Sequence, residues 1–264
     1  MHDILSAKKI LSLVEKQDFY NLVVLDTVNS TNSYIKELAA SGASHATTVI
    51  ADSQTNGRGR LGREFFSPGG TGIYMSILTD PSKIKIPVSH LTIAAGVAAC
   101  RTLTGICDAS PSIKWVNDIF LHDKKVCGIL AESVVNAKTN TFPYTIVGIG
   151  INVSTSAEIF PGKLSEIAGS VFPANITRNE IIAKLLNEFD NICSNAEIKN
   201  LVDEYKKYSR VLGKKISFTK NGKAFSGTAK DINLDGNLVV SLEDGQEMIL
   251  SSGEVSLGSS NFLS

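Results

Sequence analysis

The chain has 264 residues, of which 43% are hydrophobic and 20% are charged, so it can bury a sizeable core and its composition excludes intrinsic disorder. Lysine plus arginine equals aspartate plus glutamate, at 26 residues each. No whole-molecule field is therefore available to hold nucleic acid or an anionic membrane, and any anion site must be local.

The four cysteines share no metal-ligand spacing, and a chain of this size does not depend on disulfides. A reduced cytoplasm is therefore the expected location. The N-terminal segment carries charges throughout and lacks a cleavage signature. Because no segment approaches ~18 consecutive apolar residues, the sequence predicts neither secretion nor membrane spanning.

The first elements in chain order are a weak helix and three strands. Residues 4–16 place apolar side chains loosely on one helical face, which predicts a short leading helix or only a surface flap. Apolar and β-branched runs then predict strands over residues 22–28, 47–54 and 72–78.

Ser30, Thr31 and Asn32 follow the first predicted strand directly. These residue types cap helices, so a helix is expected over residues 33–40, ending at Gly42. Capping alone accounts for the three residues. The functional alternative is that their hydroxyls and amide face a small polar ligand at the end of the strand.

The middle of the chain predicts one buried helix and four strands. Residues 89–103 are small and apolar over a length too great for one strand, so a buried helix is expected. Short β-like runs follow at residues 113–115, 119–121 and 126–134. The strand expected over residues 145–153 contains several glycines, which indicates that another group approaches its backbone closely.

Thr177 and Glu180 form a capping-box pair ahead of an amphipathic pattern, which predicts a long helix. Beyond Gly213 the sequence changes to short alternating runs separated by hairpin-type dipeptides. We therefore expect an α+β domain over residues 1–210 and a small antiparallel barrel over residues 211–264. The three dipeptides are Asn221-Gly222, Asp235-Gly236 and Asp244-Gly245.

The segment Gly57 to Arg63, GRGRLGR, holds three arginines and three glycines in seven residues. Glycine permits positive φ, so backbone N–H groups can turn toward an anion while guanidiniums grip it. This composition is typical of a phosphate or carboxylate cradle; a solvated loop or an arginine-rich nucleic-acid contact is the alternative. It lacks the Lys-Ser/Thr of a Walker A loop and differs from the dinucleotide fingerprint.

A second polar group lies in an otherwise apolar region. Turn chemistry accounts for its Asn-Asp pair, but not for Lys114, which stands beside Trp115 in a run typical of core. Cys127 is close by in sequence, and we interpret it as a small strand residue rather than a nucleophile. The group comprises Lys114, Asn117, Asp118 and Lys125.

Six motifs follow one another along the chain: DTVNSTN, ADSQTNGRGRLGREFFSPGGTGIYMSI, KWVND, KKVCGILAE, GIGINV and GEVSL. As an ordered set reaching from about Leu22 to Leu257, they resemble the biotin protein ligase family. The resemblance implies a catalytic domain with a mixed sheet backed by helices, like that of class II aminoacyl-tRNA synthetases, followed by an SH3-like barrel.

The resemblance also implies two sets of contacts. The biotin contacts fall on Ser30, Thr31, Asn32, Gln54, Gly57, Arg58, Gly59, Arg60, Phe65 and Lys125. The nucleotide contacts fall on Arg58, Arg60, Arg63, Lys114, Asn117, Asp118 and Asn152. Arg60, Lys114 and Lys125 are expected to be catalytic, because cations must offset the repulsion between a carboxylate and an α-phosphate. Asp118 is expected to help hold Mg²⁺.

The implied reaction joins biotin and ATP into biotinyl-5′-AMP, then transfers biotin to a lysine of a biotin carboxyl carrier protein. ATP and Mg²⁺ are the implied cofactors, and the loop is expected to cover the adenylate until the acceptor arrives. Only about twenty residues precede the first catalytic strand, so we expect no helix-turn-helix and no specific DNA binding. A monomer or weak homodimer is expected.

Three positions depart from the family pattern. Phe65 stands where tryptophan is frequent, Val116 replaces a proline, and Gly258 stands where some members have an arginine that reaches the nucleotide. One alternative function is a lipoate or octanoate ligase, which GRGRLGR and KWVND disfavour. Another is a non-enzymatic RNA-binding module, which overall neutrality and the lack of an interleaved aromatic and basic surface disfavour.

Overall fold

The computed structural model of the protein describes residues 3–107, 110–136 and 141–257. Its first seven strands form one mixed sheet, in which the first two strands pair in parallel and all other neighbours pair antiparallel. In chain order they are β1 (Asn21–Val28), β2 (Thr47–Gln54), β3 (Gly72–Thr79), β4 (Ser112–Lys114), β5 (Asp118–Leu121), β6 (Lys124–Asn136) and β7 (Thr141–Asn152). Across the sheet the order is β1-β2-β3-β7-β6-β5-β4, so β7 is central.

The helices are α1 (Ala7–Leu11), α2 (Thr31–Ala40), α3 (Leu91–Thr104), α4 (Leu164–Ile167), α5 (Arg178–Asn195) and α6 (Ile198–Tyr208). Small and apolar residues make up most of α3, which is buried nearly all round and contacts the sheet, α5 and α6. At the start of α5 the predicted capping box is present, with Thr177 and Glu180 each accepting from the other's backbone N–H. Within the described ranges, no helix has the length and apolar character needed to cross a bilayer.

The two faces of the large sheet are covered differently. On one face, Met75 and Ile149 are buried in the main core together with the apolar residues of α3 and α5. On the other face, α2 covers one end, where Ile35 packs with Leu78 and Ile146. Because α2 is short, it leaves the middle of that face free for a site.

The leading segment belongs to the core. Ile10 is fully buried and Val14 is 4% exposed. Asp3 forms a 2.7 Å ion pair with the buried Arg178, whose guanidinium also lies 2.7 Å from Asp52 at the end of β2. The surface-flap alternative for this segment is therefore wrong, and the helix alternative is confirmed for residues 7–11.

The last five strands form an antiparallel sheet in the order β11-β10-β9-β8-β12. Asn221 and Gly222 have φ of 51° and 74°, as a two-residue type I′ hairpin requires. Trp115 Nε1 donates to the Gly236 carbonyl at 3.0 Å and so joins the two sheets. The strands are β8 (Lys215–Lys220), β9 (Lys223–Ile232), β10 (Leu238–Leu242), β11 (Glu247–Leu250) and β12 (Val255–Leu257).

The helix after β1 begins earlier than the cap residues predict. It starts at Thr31 rather than at residue 33, and Ser30 occupies the N-cap position without a side-chain cap hydrogen bond. The side chains of Thr31 and Asn32 bond to residues of other elements instead. The interpretation of these three residues as caps is therefore wrong for Thr31 and Asn32.

Candidate functional site

Glycines form the floor of the candidate site in the middle of the large sheet. Gly150 of β7 pairs with Gly128 of β6. Gly148, two residues away on the same face of β7, pairs with Ser76 of β3. Side chains are missing at these three positions, so the backbone of the sheet is open to approach from above.

Two side chains lie directly on this floor. A Cβ at Gly148 would stand 2.2 Å from Asn32 Oδ1, and a Cβ at Gly150 would stand 2.6 Å from the ring of Phe65. Both separations are far inside van der Waals contact. The predicted close approach to the strand at residues 145–153 is therefore confirmed, and the approaching groups include an amide and an aromatic ring of the same chain.

A chain of polar groups lines one end of the site. Gln54 Oε1 accepts from the Thr31 backbone N–H at 2.8 Å and from its hydroxyl at 3.1 Å, while Gln54 Nε2 donates to Ser67 Oγ at 2.8 Å. Ser76 Oγ lies 2.6 Å from Asn32 Oδ1. These groups offer both donors and acceptors, which suits a small ligand that carries N–H groups and a carbonyl.

The GRGRLGR segment, here called the arginine loop, folds back on itself before the chain enters the pocket. Gly59 N donates to the Arg63 carbonyl at 2.7 Å, and Phe65 N donates to the Gly57 carbonyl at 2.8 Å. A Cβ at Gly57 would stand 2.3 Å from the Phe65 carbonyl. Glycine at position 57 therefore permits the close return that brings Phe65 over the floor.

The first two arginines of the loop contact strand β6 and the turn before β5. Arg58 Nη2 lies 2.8 Å from Glu132 Oε1 on β6. Arg60 Nη1 donates at 3.1 Å to Asn117 Oδ1, and the Asn117 amide in turn donates to a β6 carbonyl at 2.9 Å. Both guanidiniums are thus held along the rim of the glycine floor.

Two lysines add positive charge near the rim that Arg58 and Arg60 form. Lys125 Nζ forms a 2.7 Å ion pair with Asp118. Burial lowers the pKa of Lys114 below the ordinary lysine value, although Asp118 and Glu254 oppose the shift. Glu254 is itself 2.6 Å from Arg63 of the arginine loop. Acidic partners therefore balance this cluster of cations.

The side chains and glycines of this site surround a cleft that is partly open to solvent. Ten of the predicted site residues line it: Ser30, Thr31, Asn32, Gln54, Arg58, Gly59, Arg60, Phe65, Asn117 and Lys125. The other predicted residues lie outside the lining: Gly57, Arg63, Lys114, Asp118 and Asn152. Gly258 lies outside the described residues.

The cleft also contains residues that motif reasoning missed. Most are the floor itself, and the glycines of the central strand were their only signal in the sequence. Met75, Ile129 and Ile149 alternate with the floor positions, and their side chains lie in the main core on the opposite face, so no side-chain pattern marks them as cleft residues. The missed lining residues are Tyr74, Met75, Gly128, Ile129, Leu130, Gly148, Ile149 and Gly150.

The side chains present do not fit a metal ion held by the protein alone. Within the part of the chain that the structure describes, no three His, Cys, Asp or Glu side chains are grouped to hold a metal. Asp118, the predicted magnesium ligand, is paired with Lys125. Cys127 is fully buried, and burial raises the pKa of its thiol, so it is not a thiolate nucleophile.

Comparison with known proteins gives two family matches. The Biotin/lipoate A/B protein ligase family matches residues 24–152, and the Biotin protein ligase C terminal domain matches residues 211–258. The second match and the named relatives below point to biotin rather than lipoate ligases.

Individual relatives and solved structures agree with these family matches. The chain is 33% identical to the Bifunctional ligase/repressor BirA of Bacillus subtilis, over 90% of this chain and 74% of the relative. It is 28% identical to the Biotin--[acetyl-CoA-carboxylase] ligase of Mycobacterium tuberculosis, over 89% and 88%. The biotin protein ligase from Aquifex aeolicus in complex with biotin and ATP superposes with a TM-score of 0.75 at 28% identity, over 91% of this chain and 99% of that one. Fold, site and relatives together establish that this chain belongs to the biotin protein ligase family.

Proposed function

We propose that the protein is an ATP-dependent biotin protein ligase that forms biotinyl-5′-AMP and then transfers biotin to a lysine of a biotin carboxyl carrier protein. The observation that supports this most is the division of one cleft into a polar end and a cationic rim. Thr31, Asn32 and Gln54 suit a cyclic urea, and Arg58, Arg60 and Lys125 suit a carboxylate and a phosphate.

The first step joins two groups that carry like charges. A biotin carboxylate oxygen attacks the α-phosphorus of ATP, a new C–O–P linkage forms, and pyrophosphate leaves. Like charges a few Å apart repel by several kcal/mol at a protein's effective dielectric, on the order of 4 kcal/mol at 4 Å. Lys125 and Arg60 line the cleft where this repulsion must be offset, and Lys114 lies within electrostatic range of Lys125.

The second step needs protection from water and then access for the acceptor. The lysine of the carrier protein, in its neutral form, attacks the activated carbonyl; an amide forms, AMP leaves and the amine loses a proton. The arginine loop folds back so that Phe65 lies over the glycine floor of the cleft. We assign to the loop and to Phe65 the exclusion of water from the adenylate.

The metal ion, the acceptor protein, the location and the oligomeric state stay predictions. Asp118 would be the nearby carboxylate for a magnesium ion held by the ATP phosphates and water, and that ion would neutralise the departing pyrophosphate. The carrier protein as acceptor, a cytoplasmic location, the absence of specific DNA binding, and a monomer or weak homodimer are parts of the same proposal.

Pyrophosphate release with biotin or with lipoate tests the assignment against its nearest alternative. We expect release with ATP and biotin, and no more than background release with lipoate, because the polar end of the cleft suits a urea ring that lipoate lacks. Equal turnover of lipoate would overturn the proposal. The RNA-binding alternative predicts a complex that weakens steeply with added salt, whereas biotin binding is expected to change little.

A further inference from the structure

Glu132 lies beside the cleft without being part of its lining. It belongs to β6 and pairs across the sheet with Ile146, in the row next to Gly148. Its two carboxylate oxygens point to different parts of the site. Oε2 accepts from Asn32 Nδ2 at 2.8 Å, and Oε1 accepts from Arg58 Nη2 at 2.8 Å.

The first contact fixes which way round the Asn32 amide lies. An ionised carboxylate only accepts hydrogen bonds, so the side facing Glu132 must be the NH₂ group. The amide oxygen then faces Ser76 at 2.6 Å over the backbone of Gly148. Ser76 cannot impose this orientation, because a hydroxyl can donate or accept.

The second contact holds one end of the arginine loop. The Arg58–Glu132 pair is partly open to solvent, with side chains 42% and 31% exposed, so its contribution to folding is small. Its geometric effect is larger. The carboxylate of Glu132 holds the Arg58 guanidinium next to the Asn32 amide. These two residues are 26 positions apart in the sequence.

We propose that Glu132 is a positioning residue that couples the loop to the polar end of the cleft, through Arg58 and Asn32. The inference rests on the proposed function, with Asn32 facing the urea ring and Arg58 assigned to the biotin carboxylate rather than to the nucleotide. Loss of the carboxylate releases Arg58 from β6 and leaves Asn32 Nδ2 with a long contact, at 3.5 Å, to the Leu130 carbonyl. Biotin recognition is therefore expected to weaken, while ATP recognition changes little.

Glu132→Gln separates this role from general stability. Glutamine keeps the size, and its single oxygen can still accept from Asn32. Its NH₂ group would then face the guanidinium of Arg58, so donor meets donor and the tether to the loop is lost. Glu247→Gln is the control, because Glu247 pairs with Lys230 on the small sheet and neither residue lines the cleft.

The first measurement is the KM for biotin and for ATP in adenylate formation. We expect Glu132→Gln to raise the biotin KM about tenfold, the size of one lost hydrogen bond to a charged group, with the ATP KM within about twofold of wild type. In an Arg58→Ala background the same substitution is expected to have little further effect, because its partner is already gone. Equal rises in both KM values, or multiplicative effects of the two substitutions, would overturn the inference.

The second measurement does not depend on activity. Hydrogen exchange of residues 57–65 is expected to be faster in Glu132→Gln than in wild type or in Glu247→Gln. The thermal unfolding midpoints of all three proteins are compared to show that each variant is folded. Unchanged loop exchange in folded Glu132→Gln contradicts the coupling. A wild-type protein that makes no adenylate would instead sink the proposed function, and the exchange result would still decide the coupling.

Discussion

Lys124 and Lys125 are consecutive residues of β6 with different surroundings. Lys125 lines the cleft and lies 2.7 Å from Asp118. Lys124 points the other way and donates to the carbonyls of Ser165 and Glu166 at 3.1 and 2.6 Å. A substitution of Lys125 therefore tests the cleft, and the same substitution of Lys124 is a matched control on the same strand.

We expect Lys125→Ala to fold normally and to slow single-turnover adenylation by about 10²–10³-fold, since one charge stabiliser contributes ~3–4 kcal/mol at the transition state. Lys124→Ala removes the same charge from the neighbouring position and is expected to stay within a few-fold of wild type. If both variants adenylate at the wild-type rate, Lys125 is a structural residue.

Lys114 gives a prediction about pH. Burial lowers the pKa of its ammonium in the folded protein, so the charged form is less stable in the folded than in the unfolded chain. Replacement by methionine removes this cost and keeps the volume. Asp118 and Glu254 keep other partners, Lys125 and Arg63.

Lys114→Met is therefore expected to be more stable than wild type at neutral pH and slower in adenylation. The cost in wild type is fully present below the lowered folded pKa and disappears as pH rises toward the unfolded value of ~10.4. Urea unfolding at several pH values measures the difference in free energy, which we expect to shrink over that alkaline interval. A difference that grows with pH contradicts the burial argument.

At the scale of elements, the central strand is specialised by its glycines. In Gly148→Ala the new methyl would meet Asn32 Oδ1 at 2.2 Å, and the amide would have to leave the position that Ser76 and Glu132 define. We expect biotin affinity to fall at least about tenfold, the consequence of misplacing one polar contact of a buried ligand.

Gly96→Ala is the control for that substitution. Its methyl would meet Ile113 of β4 at 3.4 Å, an ordinary contact between α3 and the large sheet. Biotin titration by calorimetry on both variants separates the cleft from the core. Unchanged affinity in a folded Gly148→Ala would show that Asn32 does not contact the ligand.

The arginine loop is expected to change conformation with its ligand. Three like-charged guanidiniums repel one another until an anion sits among them, and the exposed carboxylate that Arg63 now contacts, Glu254, is one that a ligand can replace. Hydrogen exchange of residues 55–65 is expected to slow when biotin or the adenylate binds. Arg60→Gly is expected to release the adenylate about tenfold faster or more, because a charge-assisted contact is lost.

Leu61→Ala is a matched control for Arg60→Gly, since Leu61 lies in the same loop and is 72% exposed. Its release rate is expected to match wild type. Equal exchange of the loop with and without ligand, together with unchanged release from Arg60→Gly, would describe a fixed cradle instead of a gate.

Elements with strong local signals were predictable from the sequence. The capping box fixed the start of α5, and the Asn-Gly dipeptide at residues 221–222 fixed a hairpin. The start of α2 was not predictable from the sequence, because Thr31 and Asn32 have the right chemistry for caps. Only tertiary contacts with Gln54, Ser76 and Glu132 turn their side chains away from that role. No capping or turn motif in the sequence predicts helix α6, although Leu201, Val202 and Tyr205 are buried along one side of it.

At the scale of the whole molecule, the two sheets share one core and meet near the site. Trp115 bonds to Gly236 across the boundary, and Glu254 of the C-terminal segment reaches Arg63 of the arginine loop. Motif order could indicate which residues belong to the site, but not these contacts. They depend on how β4 and the small sheet pack, which local sequence does not encode.

Adenylate formation without an acceptor tests the proposed function most directly. The purified protein is incubated with biotin, magnesium and ATP labelled at the α-phosphate, then given a biotin carboxyl carrier domain. We expect one biotinyl-5′-AMP per active site with one pyrophosphate released, followed by conversion to biotinyl-lysine and AMP when the carrier is added. Pyrophosphate release without a biotin adenylate, or an adenylate that the carrier's lysine does not consume, would contradict it.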